Sequence, residues 1–86
     1  MIVQRTERFR RAYKKLTDAD RQRVDNAMLR VLSDPRHPSL RVKRLQGTAN
    51  IWSARASDEL RFTFEMIEDR VVLRHVGHHD TTLRSP

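Results

Sequence analysis

Two stretches near the start of the chain carry apolar residues at helical spacing. In TERFRRAYKKL the apolar side chains are three or four positions apart, with arginines and lysines between them. Thr17 can cap a second helix that begins near Asp18, and Pro35 ends the second apolar pattern. We therefore predict a helical hairpin whose buried faces carry Phe9, Ala12, Tyr13 and Leu16 in the first helix and Val24, Ala27, Met28, Val31 and Leu32 in the second.

Strand-like patterns make up most of the remaining chain. An apolar pair at residues 2 and 3 can start a short strand, and three apolar-rich runs follow later: IWSARA, LRFTFEMI and VVLRHV. Short polar turns separate these runs, which is typical of an antiparallel meander. The predicted fold class is α+β, with an N-terminal strand and a two-helix hairpin packed on an antiparallel sheet of about four strands.

The middle run alternates apolar and polar residues, as a strand with one buried face does. Its apolar residues should face the helices, which leaves Arg61 on the open face of the sheet. There the planar guanidinium can bind a phosphate through two hydrogen bonds. The alternative is a strand arginine that is simply solvated.

The position of Arg55 depends on the length of the turn between the first two runs. If this turn holds three residues, Ser57 to Glu59, Arg55 lies directly across from Arg61, where like charges repel unless an anion lies between them. An even-numbered turn would place Arg55 in the core beside Phe62, which is a poor site for an unpaired charge. We expect the three-residue turn and a pair of arginines on the open face.

The composition limits the size, the partners and the chemistry of the protein. The 86 residues are enough for one domain, residues 1–86, with a single modest core. Lysine and arginine number 18 against 11 aspartates and glutamates, and the net charge of +7 suits binding of RNA, DNA or an acidic protein segment.

The absence of cysteine excludes disulfides, thiolate zinc sites and a cysteine nucleophile. No segment has the apolar length of a signal or membrane span, so we expect an unprocessed, cytoplasmic protein without a membrane partner.

A basic segment, RVKRL, precedes the predicted meander. It contributes Arg41, Lys43 and Arg44, and an extended conformation would put Arg41 and Lys43 on the same face. These side chains can add to a phosphate-binding surface or form a solvated basic loop.

Histidines and one aspartate cluster at the predicted end of the last strand. His75, His78, His79 and Asp80 are candidate metal ligands, since imidazole and carboxylate suit zinc and other divalent ions. Against a metal site, neighbouring strand residues point to opposite faces, and the surrounding charge is positive. An imidazole beside phosphate-binding arginines can instead exchange a proton near neutral pH. The third alternative is packing or capping at the strand end.

Two segments, IWSARASDELRFTFEM and LRHVGHHD, resemble the RelE/ParE superfamily of toxins from type II toxin–antitoxin pairs. The more specific part is WSARASDELRF, which is similar to the W-S-x-R-x-x-x-x-x-R pattern of the RelE/YoeB-like branch. In that pattern the final arginine contacts the scissile phosphate, a role that the resemblance gives to Arg61. The resemblance covers nearly the whole chain, and the element order, length and basic charge agree with it.

The resemblance also implies roles for residues outside that pattern. Lys43 stands two positions before the leucine of a turn similar to PLKG, where the family places a base or a phosphate contact. His79 aligns with the RNA-facing catalytic residue of the last strand, and Asp80 replaces the tyrosine that often follows. The implied site has Arg61, His79 and Lys43 as catalytic residues, with Arg41, Arg44, Arg55, Arg74, His78 and Asp80 in contact with RNA or phosphate.

The family implies an mRNA endonuclease that acts at the ribosome and is neutralised by a cognate antitoxin. Cleavage would proceed by attack of a ribose 2′-OH on the adjacent phosphate, which requires no metal or other cofactor. Operator DNA is an expected partner only of the toxin–antitoxin complex. The main alternative is a ParE-like toxin that inhibits DNA gyrase without cutting RNA. A further alternative is a degenerate member that only binds an antitoxin or operator DNA.

Overall fold

The chain folds into helices and a single sheet in a computed structural model that describes residues 2–86, apart from the side chain of residue 81. In chain order the elements are β1 (Ile2–Arg5), α1 (Glu7–Lys14), α2 (Asp18–Ser33), a 3₁₀ helix (Pro38–Leu40), β2 (Lys43–Arg44), β3 (Ile51–Arg55), β4 (Leu60–Ile67), β5 (Arg70–His78) and α3 (His79–Arg84). The described helices are all too short or too polar to cross a membrane. This element order confirms the predicted α+β class.

The strands form one sheet in the order β1-β5-β4-β3-β2. β3, β4 and β5 make the predicted antiparallel meander, and β2 adds a fifth strand of two residues from the basic segment. β1 runs parallel to β5, so the sheet is mixed and has five strands, whereas an antiparallel sheet of about four strands was predicted. Apolar periodicity indicates a strand but not its neighbour, because parallel and antiparallel pairing bury the same alternate side chains.

Both predicted helices begin at threonine caps. The Thr6 side chain accepts a hydrogen bond from the backbone N–H of Phe9 at 3.1 Å, and Thr17 accepts one from Asp20 at 3.1 Å. Each cap satisfies one of the N–H groups that the first turn of a helix leaves unpaired. The second cap confirms the predicted start of α2, which ends at Ser33, shortly before the proline that was expected to stop it.

The core lies between the two predicted helices and one face of the sheet. α1 packs on β5, and α2 packs on β3 and β4. Met66, in the alternating run LRFTFEMI, is 36% exposed and contributes less to the core than predicted. The other predicted positions are largely confirmed: the buried core contains Phe9, Val24, Ala27, Met28, Val31, Leu60, Phe62 and Phe64, together with Leu40, Ala54, Val71, Leu73 and Val76.

The second face of the sheet is only partly open. After His78 the chain turns into α3, which packs on β4 and β5. Thr63, predicted to lie on an open face, is fully buried, and its hydroxyl donates a hydrogen bond to the carbonyl of Pro86 at 2.9 Å. The sequence did not predict this helix, because HHDTTL lacks the apolar periodicity that indicates one. Arg61 lies on a part of this face that stays accessible.

Gly77 lets α3 approach β5 closely. A Cβ atom at this position would lie 2.9 Å from Oγ1 of Thr82, which is closer than ordinary van der Waals contact. We expect Gly77→Ala to lower the free energy of unfolding by about 1–3 kcal/mol, as overpacking typically does. Denaturant unfolding measures this change. A second substitution, Thr82→Ala, should recover part of the loss, whereas simple additivity of the two losses would argue against the contact.

Candidate nucleic-acid interface

Arg61 lies at the second position of β4, next to the β3–β4 turn (57–59). It pairs directly with Arg55 on β3. The backbone N–H of Ala56 donates to the carbonyl of Leu60 at 3.0 Å, which closes the expected three-residue turn. The register confirms the prediction that the two arginines lie opposite each other on one face of the sheet.

The guanidinium of Arg61 is held by main-chain carbonyls of the β3–β4 turn. Its Nη1 donates to the carbonyl of Ser57 at 2.6 Å and to that of Leu60 at 3.0 Å. Burial, and then the positive charges of Arg55 and Arg41, lower the pKa of Arg61, although a guanidinium remains protonated at physiological pH. A fixed cation beside other cations is stabilised by a bound anion.

The arginine cluster consists of Arg41, Arg55 and Arg61, since the positive charges of the first two act on the third. Arg41 follows the 3₁₀ helix with a φ of 45°, a left-handed conformation that turns the chain toward β2. Arg55 forms an ion pair with Asp58, whose side chain is 85% exposed. Because exposed ion pairs contribute little stability, a phosphate can replace this carboxylate at small cost.

His79, the first residue of α3, lies beside the β3–β4 turn. Its backbone N–H donates to the carbonyl of Glu59 at 2.9 Å, and its Nδ1 lies 3.1 Å from Oδ1 of Asp80. This carboxylate can orient the imidazole and leave Nε2 for proton transfer. His79 and Arg61 share a surface depression of about 540 Å³, lined by Asp58, Glu59, Arg61, His78, His79 and Asp80.

His78 and His79 are not equivalent, although they are adjacent. In β5, Gly77 pairs with Arg61, whereas His78 pairs with Leu60, whose side chain is buried in the core. Because neighbouring strand positions face opposite sides, the register places His78 on the helix side of the sheet. There it borders α1 as well as the rim of the depression.

Lys43 and Arg44 lie on opposite faces of the short strand β2. Lys43 pairs with Ser53, which shares its face with Arg55 two positions along β3, and the lysine is exposed. Arg44 pairs with Trp52 on the helix side. Lys43 therefore lies on the same face as the arginine cluster, while Arg44 does not.

Arg74 lies apart from the arginine cluster. It is the extra residue of a β-bulge, where the register of β5 with β4 shifts between Thr63 and Phe64. Its guanidinium forms an ion pair with Glu65 and donates to the carbonyl of Pro86 at 3.2 Å. These partners hold the segment after α3 against the sheet, and the contact of Arg74 with RNA stays a prediction.

Two carboxylates at the site, Asp58 and Glu59, were not among the predicted contacts. Both are exposed and line the depression. Asp58 follows Arg55 by three residues across a tight turn, a spacing in the sequence that indicates an ion pair. The depression therefore carries mixed charge, and an RNA phosphate bound there requires these carboxylates to turn toward solvent.

His75, one of the residues considered as a metal ligand, lies apart from His79. It pairs with Thr63, and burial, followed by the charge of Arg8, lowers its pKa. Its Nδ1 is buried and has no hydrogen-bond partner among the described residues. Within residues 2–86, no three side chains of the types that bind metals are arranged to hold one ion.

Similar solved structures include several toxins. A YoeB/ParE toxin from Agrobacterium tumefaciens is 21% identical, covers 92% of this chain and 99% of its own, and has a TM-score of 0.77. The E. coli RelBE toxin–antitoxin complex is 21% identical, with coverages of 92% and 96% and a TM-score of 0.73. A copper-bound mutant toxin from Helicobacter pylori is 12% identical, with coverages of 94% and 97% and a TM-score of 0.76.

These similarities establish the fold. At such low identities, the shared architecture shows that the chain has the fold of RelE/YoeB/ParE-type toxins. The chain matches no protein-family model, and no curated protein matches its sequence. Activity must therefore be argued from the site.

Proposed function

We propose that this protein is an mRNA endonuclease toxin of the RelE/ParE superfamily. The observation that supports this most is that Arg61, a member of the arginine cluster, and His79 line one depression. RNA cleavage by 2′-OH attack needs a cation for the phosphate and a group that transfers a proton, and these two residues can supply both. The RelE/YoeB-like residue pattern around Arg61 and the shared fold agree with this function.

In the proposed reaction the 2′-oxygen of a ribose bonds to the adjacent phosphorus, and the bond from phosphorus to the 5′-oxygen of the next nucleotide breaks. The products are a 2′,3′-cyclic phosphate and a 5′-hydroxyl. Arg61, supported by the rest of the arginine cluster, stabilises the negative charge of the pentacoordinate phosphorane. His79, oriented by Asp80, gives a proton to the leaving 5′-oxygen. Lys43 is the candidate base or an additional phosphate contact.

The substrate in this proposal is mRNA bound to the ribosome in the cytoplasm. A net charge of +7 favours association with RNA, because basic side chains release the counterions that phosphates bind. His78, at the rim of the depression, is a proposed outer contact. Arg44 lies on the opposite face of β2, so it could contact only RNA that passes around the edge of the sheet.

The proposed protein partner is an antitoxin with an acidic segment. The E. coli RelBE structure is a toxin–antitoxin complex on the same fold. An acidic segment that folds on binding would cover the arginine cluster and balance its charge. Operator DNA would be a partner of the toxin–antitoxin complex and not of the toxin alone.

The second candidate function is that of a ParE-like toxin, which blocks DNA gyrase without cutting RNA. Three carboxylates, those of Asp58, Glu59 and Asp80, line the depression and weaken its attraction for phosphate. Asp80 also stands where the RelE/YoeB-like pattern often has an aromatic residue. A gyrase inhibitor would not need a proton-transferring group at His79.

Cleavage of RNA should persist in excess EDTA. The arginine cluster supplies the positive charge that a metal ion would otherwise bring to the phosphate. Elemental analysis of the purified protein should find no stoichiometric zinc or copper, and copper is included because one similar toxin structure is copper-bound. Loss of cleavage in EDTA, with recovery on adding either metal, would rule out the metal-independent mechanism.

A further inference from the structure

A second groove borders the arginine cluster on the side of α2. Arg23, Asn26, Ala27 and Arg30 lie on one face of α2, because they are three or four positions apart. Together with the 3₁₀ helix and the end of β3, they line a groove of about 330 Å³. Arg55 lines this groove and also belongs to the arginine cluster, so one side chain connects the groove with the proposed phosphate site.

The groove has a buried apolar floor and a cationic rim. Ala27 and Leu40 are buried beneath it. Arg30 is exposed and donates to the hydroxyl of Ser39 at 3.1 Å, a neutral partner that does not balance its charge. Arg23 is held by an ion pair with Asp20 at 2.7 Å. The planar guanidinium groups of the rim can stack on a nucleobase and bind a phosphate by charge.

Asn26 gives the groove a side chain that can distinguish bases. It is exposed on the same helix face as Arg30, one helical turn earlier. Its amide offers both hydrogen-bond donors and an acceptor, which match the edge of a nucleobase. Phosphate contacts position an RNA strand, whereas contacts with base edges carry sequence information.

We infer that this groove holds a nucleotide that flanks the scissile phosphate, with Arg30 contacting the RNA backbone and Asn26 contacting the base. The inference rests on the proposed function, since it treats the strand held at Arg61 as the one that continues into the groove. The neutral amide of Asn26 beside the arginines favours an RNA strand, which presents base edges as well as phosphates, over an acidic protein segment. In this arrangement Arg30 is a positioning residue and Asn26 determines sequence preference.

The test compares RNA binding by the wild type, Arg30→Ala, Asn26→Ala and the control Arg70→Ala. Arg70 lies at the opposite end of β4 and β5 from Arg61, so the control removes the same charge elsewhere. Fluorescence anisotropy in low-salt buffer follows binding to hexanucleotides of A, C or U with 2′-O-methyl riboses, which cannot undergo 2′-OH attack. Cleavage of mRNA by each protein is measured separately.

Arg30→Ala should bind all three hexanucleotides about tenfold more weakly. The slope of log affinity against log salt concentration should become shallower by about 0.7, because one phosphate contact is lost. Arg70→Ala should bind like the wild type. In the wild type, the three sequences should differ in affinity. In Asn26→Ala, the ratio between the highest and the lowest of the three affinities should be about tenfold smaller than in the wild type.

Equal RNA affinities of Arg30→Ala and Arg70→Ala, or a wild type that binds none of the hexanucleotides, would overturn the inference. An unchanged spread in Asn26→Ala, or a wild type without preference, would remove the role of Asn26. Binding to a pentaglutamate peptide is measured in the same way. If Arg30→Ala bound this peptide more weakly than the wild type but bound the hexanucleotides like Arg70→Ala, the groove would belong to an acidic protein partner. If the wild type shows the expected binding but cuts no mRNA, the proposed function fails and the groove assignment stands. If the wild type cuts mRNA and Arg30→Ala matches the control, only the groove assignment fails.

Discussion

Replacing Arg61 by alanine should abolish growth arrest by this protein while leaving it folded. Carbonyl groups of the β3–β4 turn hold the Arg61 guanidinium at the accessible end of the sheet, opposite Arg55. There it can stabilise the negative charge that develops on the phosphorane. Removal of one such preorganised group typically costs about 10²–10³-fold in rate. The measurement is growth of cells that produce the variant, with the protein level checked by immunoblot.

Two further variants separate the chemistry of Arg61 from its structural contacts. Arg61→Lys keeps the charge but loses the planar fork, so it should retain only part of the toxicity. Arg70→Ala removes an arginine far from the site and should remain fully toxic. Thermal unfolding of Arg61→Ala shows whether the loss of its hydrogen bonds to the turn carbonyls lowers the stability of the protein. Growth arrest by a folded, well-expressed Arg61→Ala protein would refute the role of this residue.

The second large effect should come from His79→Ala, which we expect to slow RNA cleavage by about 10²–10⁴-fold, the usual contribution of a positioned proton donor. RNA binding should change little, because the contribution is made in the transition state. The structural basis is the position of His79, fixed by its bond to the Glu59 carbonyl and by the neighbouring carboxylate of Asp80. Single-turnover kinetics with a separate binding assay distinguishes the two quantities.

His78→Ala is the matched control for His79→Ala. It removes the same side chain one position away, on the side of the sheet that faces the helices, and should have a much smaller effect. Equal rates for His79→Ala and the wild type would make both histidines structural. That outcome would favour the ParE-like alternative.

The sequence predicted the helices and the meander because their residues bury one face and cap their own ends. The Thr17 cap and the alternation through Phe62 and Phe64 are local signals of this kind. The position of β1 beside β5 and the helix α3 have no local signal. α3 is held by long-range contacts, such as the approach of Thr82 to Gly77, that a periodic pattern does not encode.

Part of the site followed from physical reasoning, and part did not. The cost of burying a charge favoured a position of Arg55 opposite Arg61, and the register confirms it. The proximity of Arg61 and His79 was expected only from the family resemblance, since it depends on a hydrogen bond between α3 and the β3–β4 turn. The partners of Arg74 depend on a bulge in β5, and strand alternation predicts no bulge.

The central claim is that Arg61 and His79 form a metal-independent RNA-cleaving site. Single-turnover cleavage of mRNA on programmed ribosomes in the presence of EDTA tests it most directly. We expect the wild type to cut the mRNA and the Arg61→Ala and His79→Ala variants to be slower by orders of magnitude. A wild type that cuts no RNA but inhibits DNA gyrase would contradict it.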